Sequence, residues 1–256
     1  MRVFVIASGP SLAGFDFHRL DNDITISTNY NYRDYVPTIL VFVDNNLYTD
    51  NKDEIDRLDC IRIGNKKHFG WGHKTVLGLP MISNGAPFEG AAGLTKGLYC
   101  TYLTGLVALS LAIALKLNPI YLLGYDCGFE TEKVEPEVKS RRKRYHRGHY
   151  YTHTRHHGDT EAGLKVLIDG VKKFDTFINH RDTKDTKIVD CSMKGKLNQF
   201  PKQDINTVLS PHLNLGVRDE SGHPVDHAAG HPNPDKSGHP AGKQAEIERI
   251  RQCLTR

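Results

Sequence analysis

Residues 1–12, MRVFVIASGPSL, join an apolar run, Val3-Phe4-Val5-Ile6, to small residues and then to Gly9-Pro10-Ser11-Leu12. Hydrophobicity unbroken by polar residues predicts a strand buried on both faces, as in a parallel sheet. The Gly-Pro step predicts a tight turn at the carboxyl end of that strand. In open α/β sheets ligands bind at such ends. Ala7, Ser8 and Gly9 carry so little bulk that a ligand can come close to the backbone. The chain therefore opens on an expected site for a nucleotide or a similar molecule.

Working outward, strand patterns alternate with helical ones. Ile24–Thr28 reads as a second strand ending at Asn29, and Thr38–Val43 as a third ending at Asp44. A short polar helix is expected over 51–58 and a strand over Cys60–Ile63. Leu103–Leu117 has helical length and no polar face, so it reads as a buried helix. Pro119–Leu123 reads as a strand closed by Gly124-Tyr125-Asp126. An amphipathic helix over Asp159–Phe177 and a last strand at Lys187–Asp190 follow. Residues 64–100, rich in Gly and aromatic groups, fit no element clearly. This alternation predicts an α/β fold: a Rossmann-like, mostly parallel sheet with helices on both faces. The expected domain is 1–208, with a basic, lid-like loop at 128–157. Residues 209–256 read as a low-complexity tail, with Gly-His-Pro three times, ending in a short helix.

The 256 residues suit one large domain plus a tail, and a net charge of +4 is modest. No signal-peptide pattern is expected at the start. The apolar stretch Tyr102–Leu117 is broken by Thr104, Gly105 and Ser110 and is short for a bilayer. Five scattered cysteines without a CxxC spacing argue against a disulfide framework or structural zinc. A cytoplasmic location is the expectation.

Three groupings carry chemistry. Asn29, Asp44 and Asp126 each follow an apolar strand, so they line one sheet edge beside Ser8 and Gly9 and could bond a ribose, a base or a sugar. Local turn chemistry explains any one of them alone. Thr104-Gly105 opens the apolar helix, where free N–H groups and the helix dipole suit an anion, and an ordinary N-cap has the same look. Lys139–His157 holds seven Lys or Arg and five His interleaved with three Tyr. Such a segment suits phosphates, nucleic acid or lipid headgroups, and its histidines suit general-base work. The plainer alternative is a solvated loop. No metal-ligand signature is present.

Taken in order, these pieces resemble the bacterial sialyltransferases of glycosyltransferase family 42. They also resemble the motility-associated glycosyltransferase and domain-of-unknown-function 115 group. The resemblance rests on Gly9-Pro10-Ser11-Leu12 with Phe15-Asp16, Thr28-Asn29-Tyr30-Asn31-Tyr32, Val41-Phe42-Val43-Asp44 and Thr104-Gly105. Ile120-Tyr121-Leu122-Leu123-Gly124-Tyr125-Asp126 and His149-Tyr150-Tyr151-Thr152-His153 complete it. It spans roughly residues 1–205 and implies metal-independent transfer of a sugar from a nucleotide-activated donor, CMP-linked and sialic-acid-like in the sialyltransferases. His153 is implied as the base. Help with donor departure then falls to Tyr145, Tyr150 or Tyr151 or to the arginines of 141–147, with Tyr150 and Arg144 as the chosen candidates, and Ser8, Gly9, Pro10, Ser11, Asn29, Asp44, Thr104, Gly105 and Asp126 are the expected donor contacts. No cofactor beyond the co-substrate is implied. The chain departs from the pattern at Ser8, where the family often has Asn, and at Cys127-Gly128-Phe129, where sialyltransferases place tyrosines. It departs again at Tyr102, near which they carry an arginine.

Two other activities share these features. An ATP-dependent diphosphokinase of the pterin type needs magnesium held by Asp44 and Asp126. A phage-type DNA-base glycosyltransferase, or a nucleotide-binding protein without catalysis, uses the basic segment as a nucleic-acid footprint. The expected acceptor is a glycan or a small molecule, with nucleic acid as the other choice. Peripheral membrane contact and homo-oligomerisation stay open.

Overall fold

The central strands form here because runs rich in apolar and β-branched residues stand between turn residues, and layers packed on both faces of the sheet bury them. The computed structural model describes residues 1–70, 73–82, 94, 97–99, 103–126, 185–193, 195, 197–210 and 241–255. Its strands are β1 (Val3–Ile6), β2 (Ile24–Thr28), β3 (Ile39–Val41), β4 (Ile61–Asn65), β5 (Leu77–Leu79), β6 (Met81–Ile82), β7 (Leu98–Tyr99), β8 (Ile120–Leu123) and β9 (Ile188–Asp190). Its helices are α1 (Asn45–Asp50), α2 (Lys52–Asp56), α3 (Lys66–Phe69), α4 (Thr104–Ala114), α5 (Ile205–Leu209) and α6 (Ala241–Thr255).

Seven strands form one parallel sheet in the order β5-β4-β3-β2-β1-β8-β9, and β6 pairs with β7 beside it. β1 lies between β2 and β8, with Val3 opposite both Ile24 and Ile120. Alternate residues face opposite layers, as the period of two requires. Val3, Val5, Ile24, Ile26, Ile39, Val41 and Ile120 pack with α4 and with Ile247, Ile250 and Leu254 of α6. Phe4, Ile6 and Leu123 face Leu12, Phe17 and Leu20, with Ile205 and Val208 of α5 against them. Leu40 and Phe42 meet Leu47, Tyr48 and Ile55 of α1 and α2. Helices on both faces of a mostly parallel sheet make this the expected α/β, Rossmann-like class.

Several boundaries differ from the sequence reading. The third strand is confined to Ile39–Val41, although Phe42 N–H still donates to the Ile63 carbonyl of β4 (3.0 Å) just past its end. The fourth starts at Ile61 and runs to Asn65. The polar helix at 52–56 is preceded by α1, and β5, β6 and β7 lie in the stretch that fitted no element. Helix α6 is anchored in the core. Lys243 Nζ donates to the Asp21 carbonyl (2.8 Å) and Arg249 Nη2 to that of Leu115 (3.2 Å). The loop 128–157, the helix Asp159–Phe177 and the segment 211–240 lie outside the described residues. Among the described residues no helix is long and apolar enough to cross a membrane.

Candidate functional site

From β1 the chain steps outward through β2, β3 and β4 to β5, then returns to β8 on the other flank of β1. The carboxyl ends of β1 and β8 are therefore the point where strand order reverses, the place where such sheets open a crevice. Here the pairing runs past the strand ends. Ala7 N–H donates to the Leu123 carbonyl (2.8 Å) and Gly9 N–H to that of Gly124 (2.9 Å).

Two glycines make this closure feasible. Gly124 has φ +69°, and a Cβ there would stand 2.8 Å from the Ala7 oxygen and 2.6 Å from Leu12 Cδ1. Gly9 has ordinary backbone angles; its constraint is space. A Cβ there would lie 2.5 Å from the Gly124 oxygen and closer still to Asp126 Oδ2. That carboxylate oxygen accepts the Ser11 N–H (2.7 Å), so Asp126 holds the turn Pro10–Leu12 against the end of β8. Asp126 is buried, and its Oδ1 has no hydrogen-bond partner among the described residues.

Tyr125 ties a second element into the crevice. Its hydroxyl donates to the Gly105 carbonyl (2.6 Å) and its N–H to Ser192 Oγ (2.7 Å). The N-terminus of α4 is thereby fixed beside Ala7, whose Cβ would be 3.5 Å from one placed on Gly105. Leu103, the residue before α4, supplies no side-chain cap. The first N–H groups of the helix, with the positive end of its dipole, thus remain for an anion or for water. Thr104 and Gly105 are half-buried there.

At the end of β2, Asn29 adopts φ +50°, an uncommon left-handed conformation for a residue other than glycine. It is half-buried, with a buried Oδ1 that lacks a hydrogen-bond partner among the described residues. Asn31, not singled out as a site residue in the sequence reading, ties β2 to β1. Its Nδ2 donates to the carbonyls of Ala7 (2.9 Å) and Ile6 (3.3 Å), and its Oδ1 accepts from Ser8 Oγ (3.0 Å). Ser8 is therefore turned inward and buried.

The structure thus brings together Gly9, Ser11 and Asp126, and through Tyr125 also Thr104 and Gly105. Ser8 joins through Asn31, and Asn29 stands at the neighbouring strand end. Pro10 is exposed at the start of the turn. Asp44 is exposed at the end of β3, two strands from β1, where it precedes α1 without capping it. Asn31 and Tyr125 were findable, since each lies within a short motif that already held a candidate. His153, Tyr150 and Arg144 lie outside the described residues.

No protein-family model matches the chain, and no curated protein matches it in sequence. Among solved structures it is similar to the MAf glycosyltransferase from Magnetospirillum magneticum AMB-1, with a TM-score of 0.53 and 14% identity. The likeness is one of fold. The match covers 98% of this chain and 37% of that protein, so the chain spans little more than a third of its length.

Proposed function

We propose that this protein is a glycosyltransferase that seats a nucleotide-activated sugar over the ends of β1 and β8. The observation that carries this reading is the uncapped N-terminus of α4 held by Tyr125 beside Ala7, the residue that leads into the Gly9–Ser11 turn at the strand-order reversal. Backbone N–H groups at a helix start favour a phosphate. In this reading Ser8–Ser11, Thr104 and Gly105 surround the donor phosphate, while Asn29, Asp44 and Asp126 take ribose or base. A buried carboxylate oxygen left without a partner costs about 1–3 kcal/mol, which a donor hydroxyl bonded to Asp126 offsets. The similarity in fold to a glycosyltransferase agrees with this assignment.

The family resemblance supplies the chemistry. His153 takes the proton of an acceptor hydroxyl, whose oxygen forms the new bond to the anomeric carbon. The bond from that carbon to the nucleotide phosphate breaks, and the phosphate leaves with the electron pair. Arg144 and Tyr150 offset its charge. A CMP-linked, sialic-acid-like donor, a glycan or small-molecule acceptor, independence from metal and a cytoplasmic setting all belong to this reading.

A thermal-shift screen against nucleotides and nucleotide sugars, each with and without magnesium, tests it, because a ligand of the folded state raises the melting temperature by mass action. A response to a nucleotide sugar without metal is the expected result. A response confined to ATP with magnesium overturns it in favour of the diphosphokinase. His153→Ala is expected to abolish turnover while leaving the donor-induced shift in place.

A further inference from the structure

Behind the crevice lies an ion pair that the proposed chemistry does not use. Asp190, the last residue of β9, is fully buried, and its Oδ2 lies 3.3 Å from Lys202 Nζ. The contact is an ion pair rather than a directed hydrogen bond, since that oxygen has no hydrogen-bond partner among the described residues. The hydrogen bonds of the ammonium go to two backbone carbonyls, Ser192 (3.2 Å) and Gly195 (2.7 Å). Asp190 Oδ1 accepts the Ser192 N–H (2.8 Å), and Gly195 N–H closes the turn onto the Ser192 carbonyl (2.8 Å). The turn 192–195 is thus held from outside by one lysine and one carboxylate.

That turn presses on the wall of the site. Ser192 Oγ accepts the Tyr125 N–H. Gly195 packs so closely that a Cβ would stand 3.0 Å from Asp126 Cα and 3.1 Å from the Tyr125 carbonyl. Tyr125 in turn holds the start of α4, and Asp126 holds the Ser11 N–H. We propose that Lys202 is a positioning residue for the donor site, acting through the 192–195 turn to fix Tyr125 and Asp126 against the Gly9–Ser11 loop. A cation suits this place because it can satisfy a buried carboxylate and two carbonyls at once, and a neutral side chain would leave the carboxylate uncompensated. Burial pushes the Asp190 carboxyl above its ordinary range while Lys202 pulls it back, as expected of a charge kept buried by its partner.

The proposal rests on the donor site suggested above, so its test reads the molecule with and without ligand. Lys202→Met keeps the aliphatic stem and removes the charge; Lys202→Arg keeps the charge. In the full-length protein, amide hydrogen exchange at Gly9, Ser11 and Tyr125 is expected to be about tenfold faster in K202M, with β3 and β4 unchanged and K202R between K202M and wild type. The thermal shift with the nucleotide sugar that responds in the screen should shrink in the same order. Wild-type exchange at those amides in K202M overturns the proposal. Uniform acceleration across every strand overturns it too, because it marks a lysine that only stabilises the fold. If wild type answers no nucleotide, the donor reading fails while the exchange pattern still decides the role of Lys202.

Discussion

At the scale of single residues, space constrains Gly9 tightly. Its backbone angles are open to any residue, φ −65° and ψ 153°, so only space excludes a side chain. Alanine there has to displace Asp126 or the Gly124 carbonyl, both fixed by hydrogen bonds. Gly9→Ala is expected to cost roughly 1–3 kcal/mol, the usual range for overpacking, and to remove the nucleotide-induced thermal shift. Gly14 is the matched control. Its φ is +75°, and among the described residues nothing lies within 4 Å of where a methyl group would sit. Gly14→Ala should therefore cost only backbone strain, about 1–2 kcal/mol, and keep the shift. Urea denaturation and thermal shift on the two variants check this, and an intact ligand response in G9A would contradict the packing argument. The sequence marked Gly9 because a Gly-Pro step makes a tight turn, and its small size read as room for a ligand. The structure fills that room with Asp126, whose bond to Ser11 spans 115 positions. Nothing in a local pattern could reveal a contact of that span.

At the scale of elements, what was legible followed burial. β1, β8 and α4 were readable because each is almost wholly apolar, and β2 because its β-branched Ile and Thr residues form one run; all four are buried in the centre of the fold. β5, β6 and β7 are two or three residues long and are bounded or interrupted by Gly and Pro, so long-range pairing rather than local preference makes them strands. Helix α6 was visible as a helix, yet its attachment was not. It brings Lys243 into a nearly closed environment, with the ammonium on the Asp21 carbonyl and within the field of the Asp21 and Asp23 carboxylates. Burial lowers the Lys243 pKa, and the two aspartates oppose it. The folded chain therefore releases this proton more readily than the unfolded chain. The contribution of this group to stability is present above the unfolded value, near 10.4, and is lost as pH falls through the lowered folded value. Wild type should accordingly gain melting temperature relative to Lys243→Met as pH rises from neutral toward the unfolded value, as calorimetry of the two proteins can measure. Parallel curves would mean that the ammonium stays hydrated in the folded state.

At the scale of the molecule, the sheet separates stability from binding. The edge strand β5 stands four strands from β1, about 19 Å at the usual spacing, whereas the crevice depends on β1, β8 and the start of α4. Leu79, nearly fully buried on β5, contributes to the shared core without touching that crevice. Leu79→Ala should therefore cost about 2–5 kcal/mol, as core truncations do, while the folded fraction keeps its ligand affinity. A ligand at about a hundred times its dissociation constant adds about 2.7 kcal/mol to a folded state that binds it, and for a chain of this size that is roughly 5–10 °C in melting temperature. The rise should be the same in L79A as in wild type, measured from a lower starting point, and absent in G9A. A rise that vanished in both variants would place the ligand on the shared core rather than at the reversal of strand order. A rise that survived in both would move it away from the Gly9 turn altogether. Only loss in G9A with retention in L79A fits a donor seated between β1 and β8, because there the lost contact and the lost binding share the same few ångströms.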